Sequence, residues 1–112
     1  MNEFTLSPEQ VNNFLTHGFL VIPNFLDAEE TELLLAAAIA DPMIKENVFD
    51  VSDRKGQTSQ MTLWNYPGDD LWGMVSRSNR IVDSMEKLLD GEVYHYHSKL
   101  ILKKPTEGGA WE

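Results

Sequence analysis

The sequence contains no cysteine, no lysine or arginine before Lys45 and no long apolar run. The absence of cysteine excludes disulfides, thiolate metal sites and a cysteine nucleophile. No apolar run approaches the roughly 20 residues that a membrane helix needs. The N-terminus also lacks the basic flank and apolar stretch of a secretory signal. We therefore expect a cytoplasmic protein without a membrane span.

Positive charge is scarce, because 18 acidic residues face 9 basic ones and the formal net charge is -9. The densest basic cluster is the Lys103 and Lys104 pair. Two lysines are too few for the phosphate contacts that nucleic-acid binding needs, so nucleic acid is not expected as a partner. The length of 112 residues and a hydrophobic content of 42% fit a single domain over residues 1–112.

Helix start and stop signals are the strongest local patterns. Ser7, with proline next and Gln10 at the third helical position, predicts a capped helix over 8–17. A second capping pattern precedes a helix over 28–40, which a proline ends. Apolar residues at helical spacing predict a third helix over 79–89.

Apolar and β-branched runs predict the strands. A short buried strand is expected at 19–22, another at 59–64 and a long one at 93–103. Residues 43–56 read mostly as loop, within which 48–51 is compatible with a short strand. A short helix is also expected after Asp70 as its cap. Helices and strands in this order predict an α+β fold.

Two histidines and an aromatic cluster are the candidates for chemistry. On a strand, His95 and His97 would share one face, a spacing that can chelate a metal if a third ligand is found. We favour the alternative that they are partly exposed polar positions of a half-buried strand. An apolar and aromatic cluster is either part of the core, which we favour, or the lining of a substrate pocket. Its members are Met61, Leu63, Trp64, Trp72 and Met74.

Three segments resemble, in this order, bacterial members of the phytanoyl-CoA dioxygenase family. They are 6–26 (LSPEQVNNFLTHGFLVIPNFL), 61–69 (MTLWNYPGD), and 94–104 (YHYHSKLILKK) followed by GGAWE at 108–112. The resemblance implies N-terminal helices packed on the first strands of an incomplete double-stranded β-helix, a jelly-roll or cupin-like architecture. An incomplete barrel leaves a strand edge open, so we expect 93–103 to invite self-association.

The resemblance also implies a cofactor pair. In the family, the stretch resembling 108–112 leads into a His-x-Asp pair, which with a distant histidine holds iron(II) beside 2-oxoglutarate. The sequence stops before that pair, so no catalytic residue and no metal ligand is assigned, and neither cofactor is expected to bind this chain alone. The expected function is an N-terminal fragment of a hydroxylase for a small-molecule or lipid-like substrate, inactive alone. The alternative is a non-catalytic binding or regulatory module.

Four positions can be carried over from the family pattern. Leu100 matches a position that lies beside 2-oxoglutarate in the family. The segment of Leu63, Trp64 and Asn65 resembles a region that borders the cofactor and substrate pocket.

Overall fold

The computed structural model describes residues 3–105, and within them five helices and a three-stranded sheet. In chain order the elements are α1 Pro8–His17, α2 Ala28–Ala40, α3 Pro42–Glu46, β1 Phe49–Ser52, β2 Thr58–Trp64, α4 Leu71–Ser76, α5 Asn79–Leu89 and β3 Ser98–Leu102. The predicted α+β class is confirmed. No helix in this part of the chain is both long and apolar enough to cross a bilayer.

The helices begin and end where their capping residues predict. The Ser7 hydroxyl accepts the Gln10 backbone N–H at 3.1 Å, and the Gln10 side chain accepts the Ser7 N–H at 2.9 Å. Gly18 ends α1 in the left-handed region at a φ of 79°, a conformation that glycine adopts without steric cost. The bounds predicted for α1, α2 and α5 are confirmed, as is the short helix after Asp70.

The sheet is antiparallel with the order β1-β2-β3. Its central strand, β2, buries Met61 and Thr62 to 5% and 4% exposure. Adjacent side chains on a strand point to opposite faces, so β2 is covered on both sides. The short strand considered at 48–51 is present as β1.

The segment 43–56 is less irregular than predicted. Pro42 ends α2 and also occupies the first turn of α3, where a missing N–H is harmless. Asp41 caps this helix by accepting the Met43 N–H at 2.9 Å. The expectation of mostly loop was therefore wrong for α3.

The prediction of a strand at 19–22 was wrong. This segment pairs with no strand of the described part of the chain, and Phe19 and Val21 are 66% and 75% exposed. An apolar run becomes a strand only where a neighbouring strand supplies hydrogen-bond partners, and the run itself does not encode that neighbour.

The long strand predicted at 93–103 was too long, because only Ser98–Leu102 forms β3. The antiparallel register pairs Ser98 with Trp64, the last residue of β2. Residues 93–97 extend beyond the end of that partner strand, so they have no ladder to join.

The buried core is small. Its apolar members are Leu6, Ala38, Ile44, Met61 and Leu88. In contrast, Leu33, Leu35 and Ile39 of α2 are each more than half exposed. A helix that is apolar on all sides is usually covered on all sides, so much of α2 lacks a packing partner within residues 3–105.

Candidate functional site

A cleft of about 350 Å³ lies between the C-terminal end of β2 and the beginnings of α3 and α4. Its volume is within the range of small-molecule sites. The side chains that define it come from separate parts of the chain and include Asp41, Ile44, Thr62, Trp64, Asp70 and Trp72. The cleft is therefore a product of tertiary packing.

One wall is fixed by a contact between Asp41 and Trp72. The indole Nε1–H of Trp72 donates to Oδ2 of Asp41 at 3.1 Å, across 31 positions of sequence. The other carboxylate oxygen, Oδ1, accepts the Met43 N–H. Asp41 thus joins the start of α3 to α4 and orients the Trp72 ring.

The second aromatic wall is Trp64, at the end of β2. Its ring lies edge-to-face with that of Trp72, with centroids 6.2 Å apart and an interplanar angle of 61°. Such an arrangement is the favoured one for aromatic pairs. Both rings are half-buried, so they combine packing with an accessible surface.

The base of the cleft joins β2 to α3. The Thr62 hydroxyl donates to the Ile44 carbonyl oxygen at 3.3 Å, and both residues are buried. At the start of α4, Asp70 caps the helix by accepting the Gly73 N–H at 2.8 Å. Hydrogen bonds therefore hold three sides of the cleft in place.

The charge of the cleft is negative. Asp41 and Asp70 are its charged lining residues, and no lysine or arginine lines it. Carboxylates repel a dianion such as 2-oxoglutarate and attract a cation. The lining therefore does not fit 2-oxoglutarate.

Two of the pocket residues predicted from the sequence lie at this cleft. Leu63 and Trp64 line it. Asn65 is exposed just beyond β2 and is not among the lining residues. Leu100 is half-buried on β3, directly opposite Thr62 and hence on the same face of the sheet. The roles predicted for these residues stay predictions.

The shared strand face predicted for His95 and His97 is absent, since both precede β3. Nε2 of His95 lies 2.8 Å from the Ser98 hydroxyl oxygen, and its Nδ1 is buried without a hydrogen-bond partner. The His97 ring contacts that of Tyr96, with centroids 4.8 Å apart. Within residues 3–105 no three histidine, aspartate or glutamate side chains are grouped to hold a metal. These residues therefore do not fit an iron centre, and no catalytic step is assigned to one.

The aromatic cluster considered in the sequence divides between the core, the cleft and the exposed surface. Met61 belongs to the core, whereas Met74 is 54% exposed. Trp64 and Trp72 form the cleft walls. The two acids, Asp41 and Asp70, were missed as site residues. Asp70 was predicted as a helix cap, a role that already explains an aspartate, and Asp41 stands at the predicted end of the helix over 28–40.

The part of the resemblance carried by 108–112 lies outside the described residues. Comparison of the chain with protein-family models, with curated protein sequences and with solved structures found no match.

Proposed function

We propose that residues 3–105 are the helical front and first strands of an iron(II)- and 2-oxoglutarate-dependent dioxygenase domain of the phytanoyl-CoA dioxygenase family. In this proposal further strands complete a jelly-roll or cupin-like barrel. The observation that supports it is the composition of β3, which suits an interior strand although β3 lies at a sheet edge.

Three consecutive apolar residues, Leu100, Ile101 and Leu102, occupy β3. Since successive side chains alternate between faces, both faces of this strand are apolar. Such continuous runs are typical of strands covered on both sides. Yet Ile101 is 38% and Leu102 is 37% exposed, and no strand of residues 3–105 pairs with the outer side of β3.

An open apolar edge is normally paired, covered or protected by charge. Its completion by more strands of the same domain accounts for both the missing pairing and the exposed faces. In this proposal, the described residues supply scaffold and pocket walls, and the groups that bind iron and 2-oxoglutarate lie outside 3–105.

The second candidate is a non-catalytic binding module. It is favoured by the cleft at Trp64 and Trp72, which has an acidic lining. Within residues 3–105 no three histidine, aspartate or glutamate side chains are grouped there to hold a metal. Under this alternative the cleft itself is the functional site.

The coding DNA beyond the codon for Glu112 separates the two candidates. We expect the reading frame to continue directly into codons for a His-x-Asp pair. An in-frame stop codon at that point would contradict the dioxygenase proposal and leave the binding module.

A further inference from the structure

We infer that the cleft beside Trp64 and Trp72 binds an organic cation of the alkylammonium or quaternary ammonium class. The inference depends on the lining of the cleft alone, and it is independent of whether the chain belongs to an iron enzyme. Three features carry it: the two aromatic walls, the carboxylate that accepts a hydrogen bond from one of them, and the lack of any lysine or arginine among the lining residues.

The aromatic walls present negative electrostatic potential to the cleft. A ring carries partial negative charge on its faces, and tryptophan binds cations most strongly among the aromatic residues. The Trp64 and Trp72 rings are inclined by 61° at a centroid distance of 6.2 Å. In this edge-to-face pair one ring points its edge at the other, and both residues line the cleft, so a compact cationic group can lie against the ring surface that remains open. Tyr66, 87% exposed, adds a third ring at the rim.

The Asp41 carboxylate strengthens this preference. It accepts a hydrogen bond from the Trp72 Nε1–H at 3.1 Å. A hydrogen bond from this N–H to an anion increases the electron density of the indole ring. Asp41 is also half-buried, so its charge is screened less than that of a fully exposed acid. A carboxylate offers about four lone-pair sites, so capping α3 and attracting a ligand are compatible.

The balance of charge distinguishes a cation from the other ligand classes. An anion would meet Asp41 and Asp70 with no lysine or arginine among the lining residues to compensate them. A neutral apolar ligand would use the ring surfaces but gain nothing from the carboxylates. A cation with apolar substituents uses both, as in the aromatic cages that recognise choline or methylated lysine.

Choline and its neutral isostere 3,3-dimethylbutan-1-ol test the inference, because they share a shape and differ in charge. Each is titrated at constant ionic strength into ¹⁵N-labelled chain, and the indole N–H signals are followed by NMR. We expect choline to shift the Trp64 and Trp72 signals and to bind at least about tenfold more tightly than the alcohol, as a cation–π contact beside two carboxylates implies. Equal affinity of the two compounds would overturn the inference, and so would no shift with choline.

A matched pair of variants assigns the charge effect to the cleft. Asp41→Asn removes the charge and leaves one oxygen for the two N–H groups, of Met43 and Trp72, that the carboxylate now accepts. We expect choline affinity to fall about threefold or more, with the affinity for the alcohol unaffected. The control, Asp50→Asn, makes the same change on β1, away from the cleft. Equal losses in both variants would show a general charge effect and contradict the inference.

Removal of the ring gives a second, independent measurement. In Trp72→Leu we expect the preference of choline over the alcohol to fall to near equality, whereas Trp72→Phe should keep part of it. The unchanged backbone amide spectrum away from α4 verifies that each variant is folded. Retention of the full preference in a folded Trp72→Leu chain would contradict a role for the Trp72 ring and overturn the inference.

Discussion

Arg80 holds the Glu30 carboxylate through two hydrogen bonds, from Nη1 to Oε2 at 2.8 Å and from Nη2 to Oε1 at 3.1 Å. The same carboxylate accepts the Asp27 N–H at 3.0 Å as part of the α2 cap. Arg80 also donates to the Phe25 carbonyl oxygen at 2.6 Å, and its guanidinium lies 5.7 Å from the centre of the Phe25 ring. This cluster joins α5 to the beginning of α2, over 50 positions of sequence.

The Glu30 carboxylate should make stability depend on pH. Its hydrogen bonds with Arg80, and then that from the Asp27 N–H, lower the pKa of Glu30 from its usual 4.5. A lowered folded-state pKa gives stability that is fully present above the usual value and is lost as the pH falls through the folded one. In Glu30→Gln we therefore expect a lower melting temperature at about pH 6 and a smaller further loss towards about pH 3.

The control for this measurement is Glu32→Gln, which removes an exposed acid from the same helix. Melting temperatures are measured by circular dichroism across the same pH range. Parallel curves for wild type and Glu30→Gln would contradict the contribution assigned to the Arg80 contact.

Gly73 is buried on α4 at a position that has no room for a side chain. A Cβ atom at this position would overlap the carbonyl oxygen of Gly68, and a backbone atom cannot move aside as a flexible side chain can. We expect Gly73→Ala to lower the free energy of unfolding by about 1–3 kcal/mol, the usual cost of overpacking. Urea denaturation measures the change.

Gly91→Ala is the matched control, because a Cβ atom there meets nothing within 4 Å and the backbone is not in the left-handed region. We expect this variant to stay within about 0.5 kcal/mol of wild type. A loss at Gly91 as large as that at Gly73 would contradict the close approach of Gly68.

The open edge of the sheet should cause self-association of the chain. Ile101→Lys and Leu102→Lys place a charge on each face of β3, and edge charges prevent strand pairing. We expect both variants to sediment as smaller species than wild type at the same concentration. Leu15→Lys changes an α1 residue that is 70% exposed and should leave association unchanged. A wild-type chain that remains monomeric over a wide concentration range would contradict the expectation.

The sequence is sufficient to predict features that depend on nearby residues. The caps at Ser7 and Asp27 involve partners three positions away, and the helices they begin have their predicted bounds. Pro42 shows the limit of such patterns, because the same residue ends one helix and begins another. Local signals alone do not decide between these two roles.

Strands and the cleft depend on distant partners. Residues 19–22 have a strand-like composition but no strand beside them, and 93–97 extend beyond the end of β2. The bond between Asp41 and Trp72 spans 31 positions, and no sequence spacing encodes it. Trp64 was predicted as a pocket residue, whereas the acidic residues that line the same cleft, Asp41 and Asp70, were not.

The dioxygenase proposal is tested most directly by anaerobic titration with iron(II) and 2-oxoglutarate, following the weak visible charge-transfer band of the ternary complex. Two polypeptides are compared: the 112-residue chain and one extended by the downstream coding sequence. We expect the band from the extended polypeptide and none from the shorter chain. A band from the 112-residue chain, or its absence from a folded extended polypeptide, would contradict the proposal.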